Sequence, residues 1–200
     1  MNDTYKTIQS KSEGLYKEKG SRFIALAYPM SSEEAIKGEI AELRKRFHDA
    51  RHHCFAWRLG ADSERYRVSD DGEPSGSAGK PIFGQIQSRE LTNVLVVVIR
   101  YFGGTLLGVG GLINAYRSAA SNALEKSGII EMRVNSQLKL KFGYLQMNSV
   151  MKVIKDFQLE FENQEFDLDC SLTLKVWKRN EIQVVKKLSI IEGCTVEHDI

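Results

Sequence analysis

Apolar positions change their period several times along the chain, and each change marks an element. Residues 1–29 read as strand-rich and end in the apolar run 23–28. Ser31 and Glu34 have the spacing of a capping box, which predicts a helix start. Ile36, Ile40, Leu43 and Phe47 then recur on one face, leaving Lys37, Glu39, Glu42, Arg44 and Lys45 for solvent. His53, Phe55, Trp57 and Leu59 alternate with His52, Cys54, Ala56 and Arg58, the period of a largely buried strand. Residues 94–99 are apolar on both faces, as in a central strand covered on both sides. After a glycine-rich link, Leu112, Ala115, Tyr116, Ala119, Ala120, Ala123 and Leu124 form a helical face, and Gly128 is placed to end that helix. A second helix is expected over residues 85–91, where a loop rich in Gly, Ser and Asp gives way to apolar residues.

The pattern starts afresh near residue 137. Leu138, Leu140, Phe142 and Tyr144 alternate with polar residues, and Met147, Val150, Met151, Ile154 and Phe157 are helix-spaced. Residues 159–161 predict a short strand, and Leu168, Cys170, Leu172, Leu174 and Val176 a longer one. Ile182, Val185, Leu188 and Ile191 are helix-spaced again, and residues 194–198 can close the sheet. This is βαββαβ, the ferredoxin-like split pattern. The fold class is therefore α+β, with domains expected over 1–134 and 135–200 and a hinge within 132–137.

Composition narrows the class. The chain has 200 residues, is 42% hydrophobic and carries a net charge of +2. That balance excludes sequence-independent nucleic-acid binding by bulk charge, so any such contact needs a local patch. Three cysteines without a CxxC pair argue against a disulfide framework or a zinc ribbon and fit a reducing, cytoplasmic setting. The start lacks a signal-peptide pattern, and no apolar run approaches the about 18 residues of a membrane span. No membrane, metal or cofactor is expected, and the oligomeric state stays open.

Two segments carry the candidate chemistry. Residues 69–81, SDDGEPSGSAGKP, hold the carboxylates of Asp70, Asp71 and Glu73, the hydroxyls of Ser75 and Ser77, the cation of Lys80, and Gly72, Gly76 and Gly79, whose backbone can turn amides toward a ligand. Such a loop can cradle a phosphate or hold a divalent metal. The same composition serves a rigid loop whose acids cap turns and a helix N-terminus. It is not a Walker A loop, because Pro74 replaces the first glycine and Pro81 the final Ser/Thr. Residues 100–111 follow the buried strand with Arg100, Tyr101, Phe102, Gly103, Gly104, Gly108, Gly110 and Gly111. Amides at a helix N-terminus make an anion site, although Ile113 breaks a dinucleotide fingerprint. Arg100 could instead pair with Asp70 or Asp71. His52 and Cys54 share a strand face, which permits either a Cys–His pair or a His52 hydrogen bond to the glycine loops. In the second half, Lys139, Lys141, Asp169, Ser171, Thr173 and Lys175 form a polar sheet face without the aromatic residues that an RNA-recognition sheet stacks on.

The segments SDDGEPSGSAGKPI and VVVIRYFGGTLLGVGGLINAY, with Ala50, His52 and Cys54 as AxHxC, resemble the IMPACT family in its bacterial YigZ-like branch. The resemblance covers nearly the whole chain. It implies a first domain like the second domain of ribosomal protein S five and a second like the last domain of elongation factor G. It also implies a role linked to translation, since eukaryotic members regulate it through protein–protein contacts. Ser77 stands where the family usually has Thr, Leu106 where it has Lys, and Asn114 where it often has Arg. The last two remove positive charge beside the glycine turn.

The expectation is a binding or regulatory protein, more a binder than an enzyme, which engages RNA, the ribosome or a translation-associated protein through the two glycine motifs and His52. Two alternatives stand beside it. One is a metal-assisted hydrolase or transferase acting on a phosphorylated small molecule, with Asp70, Asp71 and Glu73 as metal ligands. The other is a protein-interaction adaptor using the second domain.

Overall fold

A computed structural model describes residues 3–198. The chain divides into two compact units, one spanning Tyr5–Met132, the other formed by the chain from Arg133 on with the few residues before Tyr5.

The first unit contains β2 of a five-stranded sheet after a short β1 (Thr4–Ile8). The sheet's strands are β2 (Ser12–Glu18), β3 (Ser21–Pro29), β4 (His52–Leu59), β5 (Arg65–Ser69) and β6 (Val94–Tyr101), in the order β2-β3-β6-β4-β5. Every neighbouring pair is antiparallel. β1 pairs separately with β7 (Ile129–Arg133). The helices are α1 (Glu33–Arg46), α2 (Gly79–Ser88) and α3 (Gly108–Lys126).

Strand β6 explains the layering. Its Val94, Val96 and Val98 join the cluster formed with α2 and α3 residues such as Ile82, Ala119 and Leu124. Its Leu95, Val97 and Ile99 join Ile36 and Leu43 of α1 on the opposite face. Alternation with both faces apolar therefore yields a strand buried on both sides, as the pattern implied. All seven apolar positions expected on α3 are buried. Their small size lets the helix lie close to β2 and β3, and Gly128 follows the helix end with a positive φ of 68°.

Three local expectations shift. The α1 cap is Ser32, whose side chain accepts from the Ala35 amide, rather than Ser31. The helix expected at 85–91 begins at Gly79 and ends at Ser88, because the loop's carboxylate caps it from a distance. Strand β5, RYRVS, was not legible: its exposed face breaks any apolar alternation.

The second unit runs β8 (Asn135–Gly143), α4 (Met147–Asp156), β9 (Glu160–Glu165), β10 (Asp169–Trp177), α5 (Glu181–Ser189), β11 (Thr195–His198), with single 3₁₀ turns at Tyr144–Gln146 and Lys178–Asn180. Its sheet order is β11-β8-β10-β9, all antiparallel, the split βαβ arrangement. Leu138, Leu140, Phe142, Leu172, Leu174 and Val176 form the sheet side of its core against Val150, Ile154, Val184 and Leu188. Tyr144, Leu168 and Ile182 are exposed instead of core. Tyr144 has passed into a 3₁₀ turn, Leu168 precedes β10, and Ile182 lies in the first turn of α5, which buries Val184 and Leu188. Among the described residues no helix is long and apolar enough to cross a membrane.

Candidate functional site

The two glycine segments meet where β4 begins and β6 ends. His52 stands opposite Arg100 in the antiparallel register, so both side chains leave the sheet on one face. His53 leaves on the other and is buried on the α1 side. The loop between β5 and α2 passes the start of β4 and brings Gly72 against the His52 ring and Glu73 to Arg100.

The three carboxylates of this loop do not converge. Asp70 accepts from the amides of Gly76, Ala78 and Gly79 at 2.8, 3.0 and 2.8 Å. It thus caps the loop and the start of α2. Burial works to raise its pKa, but those amides and the nearby Lys80 bring it below the ordinary carboxylate value. Asp71 turns the other way, accepting from Arg44 at 2.6 Å and from the His53 amide at 2.7 Å. Glu73 alone reaches Arg100, at 2.6 Å, with both side chains almost fully buried. The expected pairing of Arg100 with Asp70 or Asp71 is thereby corrected: backbone amides occupy the first acid, and the second is drawn to helix α1. The metal-ligand reading of Asp70, Asp71 and Glu73 loses its basis for the same reason. Among the described residues no three His, Cys, Asp or Glu groups gather to hold an ion.

A chain of hydrogen bonds extends inward from the ion pair. Tyr116 of α3 donates to the same Glu73 oxygen at 2.8 Å, and the Cys54 thiol lies 3.3 Å from the Tyr116 hydroxyl. That thiol also lies 3.0 Å from the Asp70 carbonyl. Burial pushes the Cys54 thiol up to about 12 and raises the Tyr116 hydroxyl as well. Cys54 is therefore a protonated donor at neutral pH, which removes the Cys–His nucleophile reading. His52 does contact the glycine loop: its Nδ1 lies 2.9 Å from the Asp71 carbonyl, and its Nε2 4.0 Å from Glu73. Sequence reasoning placed Tyr116 in the core and left Arg44 for solvent. Neither partnership across the fold had a local signal.

Outside this network lies a cavity of about 550 Å³ lined by Asp49, Arg51, His52, Arg100, Tyr101, Phe102 and Leu106. The Arg100 guanidinium lies over two aromatic rings, 5.5 Å from the centre of Phe23 and 5.7 Å from that of Phe102. Its Nε is buried without a hydrogen-bond partner. Phe102 and Leu106 are largely exposed. Tyr101 donates to Asp49 at 2.8 Å, and Arg22 stacks on the Tyr101 ring. Asp49 and Arg51 belong to no glycine motif and were missed.

The remaining predicted residues fall into two groups. Ser77 is buried and donates to the Pro74 carbonyl, while Gly76 and Gly79 serve Asp70, so this half of the first motif is structural. Ser75 and Lys80 are exposed and do not line the cavity. Gly72, with φ of 87°, lets the loop pass against the His52 ring. Gly103 is required by packing: a Cβ there would lie 1.9 Å from the Gly20 carbonyl carbon. Gly104, Gly108 and Gly110 face open space, and Gly111 would touch only the Leu107 side chain. Helix α3 starts at Gly108 without a side-chain cap from Leu107, and residues 108–110 are exposed.

A family model described as the Impact N-terminal domain matches residues 19–124. The chain is 35% identical over 150 residues to IMPACT family member YigZ of Escherichia coli, covering 74% of each protein. It is 31% identical over 173 residues to IMPACT family member YvyE of Bacillus subtilis, covering 84% of this chain and 80% of that one. A crystal structure described as that of a hypothetical protein superposes with a TM-score of 0.78 at 27% identity, covering 100% of this chain and 99% of the other.

Proposed function

The chain belongs to the IMPACT family, and we propose that it is a binding protein linked to translation, which holds a single-stranded RNA segment in the cavity at the start of β4 and the end of β6. The observation that carries this reading is the cavity's lining. The Arg51 cation, the His52 imidazole and the Tyr101 and Phe102 rings share it with Asp49 and the ion-paired Arg100, and it reaches Leu106, two residues before α3 begins. Bases stack on aromatic rings, while arginines and free amides take phosphate. Leu106, where the family usually has Lys, leaves the rim apolar and offers no phosphate contact there. The glycines at 104, 108 and 110, which no neighbour constrains sterically, keep side chains out of the approach to those amides.

Binding without catalysis is supported by the state of the reactive groups. The thiol is protonated, and each carboxylate of the loop is already engaged. The reading takes the first unit as a relative of the second domain of ribosomal protein S five, the second as a relative of the last domain of elongation factor G, and the cytoplasm as the site of action. Titration of labelled single-stranded RNA against the protein and its Arg51→Ala/Phe102→Ala variant tests it. Weaker binding by the variant is expected, and equal binding would remove the cavity from the account.

A further inference from the structure

The second unit carries a separate place where cations and an aromatic ring are built together. Trp177 ends β10 opposite Asn135 of β8. The guanidinium carbons of Arg133 and Arg179 lie 4.4 and 3.9 Å from the centre of its ring. The indole is itself fixed, since its Nε1 donates to the Asp3 carbonyl at 3.2 Å. The Lys178 amide donates to the Val134 carbonyl at 2.9 Å, which ties together the two stretches of backbone that carry the arginines.

Arg133, Lys178 and Arg179 are exposed, and among the described residues none has a carboxylate within ion-pair distance. Of the acids nearest in sequence, Glu181 accepts from Ser136 and lies 3.4 Å from His198, while Glu131 is exposed and sits on the same short strand as Arg133 without pairing with it. Three neighbouring like charges with no ion-pair partner repel one another, and an anion relieves that repulsion. The ring contributes order. A guanidinium stacked on an indole uses its face and keeps its N–H edges free, so it can grip a phosphate with less loss of side-chain freedom. Clustered guanidinium groups with free N–H edges take phosphate oxygens two at a time, the contact by which basic surfaces follow a nucleic-acid backbone.

We propose that Arg133, Lys178 and Arg179, ordered on Trp177, form a second RNA-contacting surface that binds the phosphate backbone of single-stranded RNA. It is separate in its residues from the glycine-rich cavity, and its existence does not depend on the reading of that cavity.

The test uses the full chain and a labelled single-stranded RNA of about ten nucleotides, within the range that single-strand-binding OB folds cover. Affinity is measured from 50 to 200 mM salt, about the range over which phosphate contacts are resolved. Loss of two phosphate contacts in Arg133→Ala/Arg179→Ala should flatten the slope of log K against log salt by about 1.4, at about 0.7 per contact. Arg133→Lys/Arg179→Lys keeps the charge and should retain most of that slope. RNA should also change Trp177 emission, and that change should vanish in Trp177→Phe. An unchanged slope in the double alanine variant overturns the proposal, as does equal displacement of the RNA by poly-glutamate. The Arg51→Ala/Phe102→Ala variant, run alongside, separates the two surfaces. Loss there with none at the arginines overturns this surface alone. Loss at the arginines with none there overturns the cavity alone. No RNA binding by the unaltered protein at 50 mM salt overturns both.

Discussion

Removing Glu73 should expose how much of the first unit rests on one buried carboxylate. Glu73 accepts from Arg100 at 2.6 Å and from Tyr116 at 2.8 Å, and only 4% of its side chain and 8% of that of Arg100 are exposed. Breaking a buried pair by deleting one partner costs about 3–5 kcal/mol, because the remaining charge is left without compensation. The Tyr116 hydroxyl loses its acceptor in the same change, although the Cys54 thiol still donates to it. Glu73→Ala is therefore expected to destabilise by about 4 kcal/mol, and Arg100→Met by a similar amount. Replacing both partners by apolar groups, Glu73→Leu/Arg100→Met, removes the charge imbalance and should cost far less than the sum of the single changes. The assay is urea unfolding followed by Trp57, buried in this unit, in a Trp177→Phe background. At an m-value of about 2 kcal/mol/M, the single variants should move the midpoint by about 2 M. Single variants that each cost under about 1 kcal/mol, or a double variant equal to their sum, would refute the reasoning.

Three further outcomes follow from the same geometry. Gly103→Ala should fail to fold or lose more than about 3 kcal/mol, because backbone atoms of Gly20 and Ser21 occupy the Cβ position; Gly110→Ala should keep or raise the melting temperature, since nothing lies within 4 Å, while weakening RNA binding. Asp70 has a folded-state pKa below its unfolded value, so its contribution is fully present above about pH 4 and is lost as pH falls through the folded value. Asp70→Asn should remove that acid-side loss, and an unaltered stability profile below about pH 4 would contradict the capping role. Cys54, held protonated with its pKa pushed up to about 12, should not react with a disulfide reagent at neutral to mildly basic pH in the native protein, as mass spectrometry of the labelled cysteines would show.

Periodic elements were legible because burial itself imposes the period. The alternation of 94–99 and the small-residue face of α3 could be read directly, since each is a repeated local consequence of one packed surface. The βαββαβ order of the second half followed from the same signal. Exposed strands such as β5 carried none. The place of the candidate site was legible through its glycines, but its wiring was not. Three adjacent acids look equivalent in a sequence, yet Asp70 is claimed by local amides, Asp71 by α1 and Glu73 by β6 and α3. Those partners lie 27 to 43 positions away except for the loop amides, so only the folded register selects them. Asp49 and Arg51 were missed because their role depends on the end of β6 arriving beside them.

The most direct test of the central claim is the affinity of single-stranded RNA for the unaltered protein and for Arg51→Ala/Phe102→Ala across a salt series. The account predicts binding that weakens with salt, and a variant weakened by about tenfold or more, since one stacked base alone is worth about 1–3 kcal/mol. Its salt slope should also fall by about 0.7 for the phosphate contact removed with Arg51. Equal affinity and equal slope in the two proteins would contradict it.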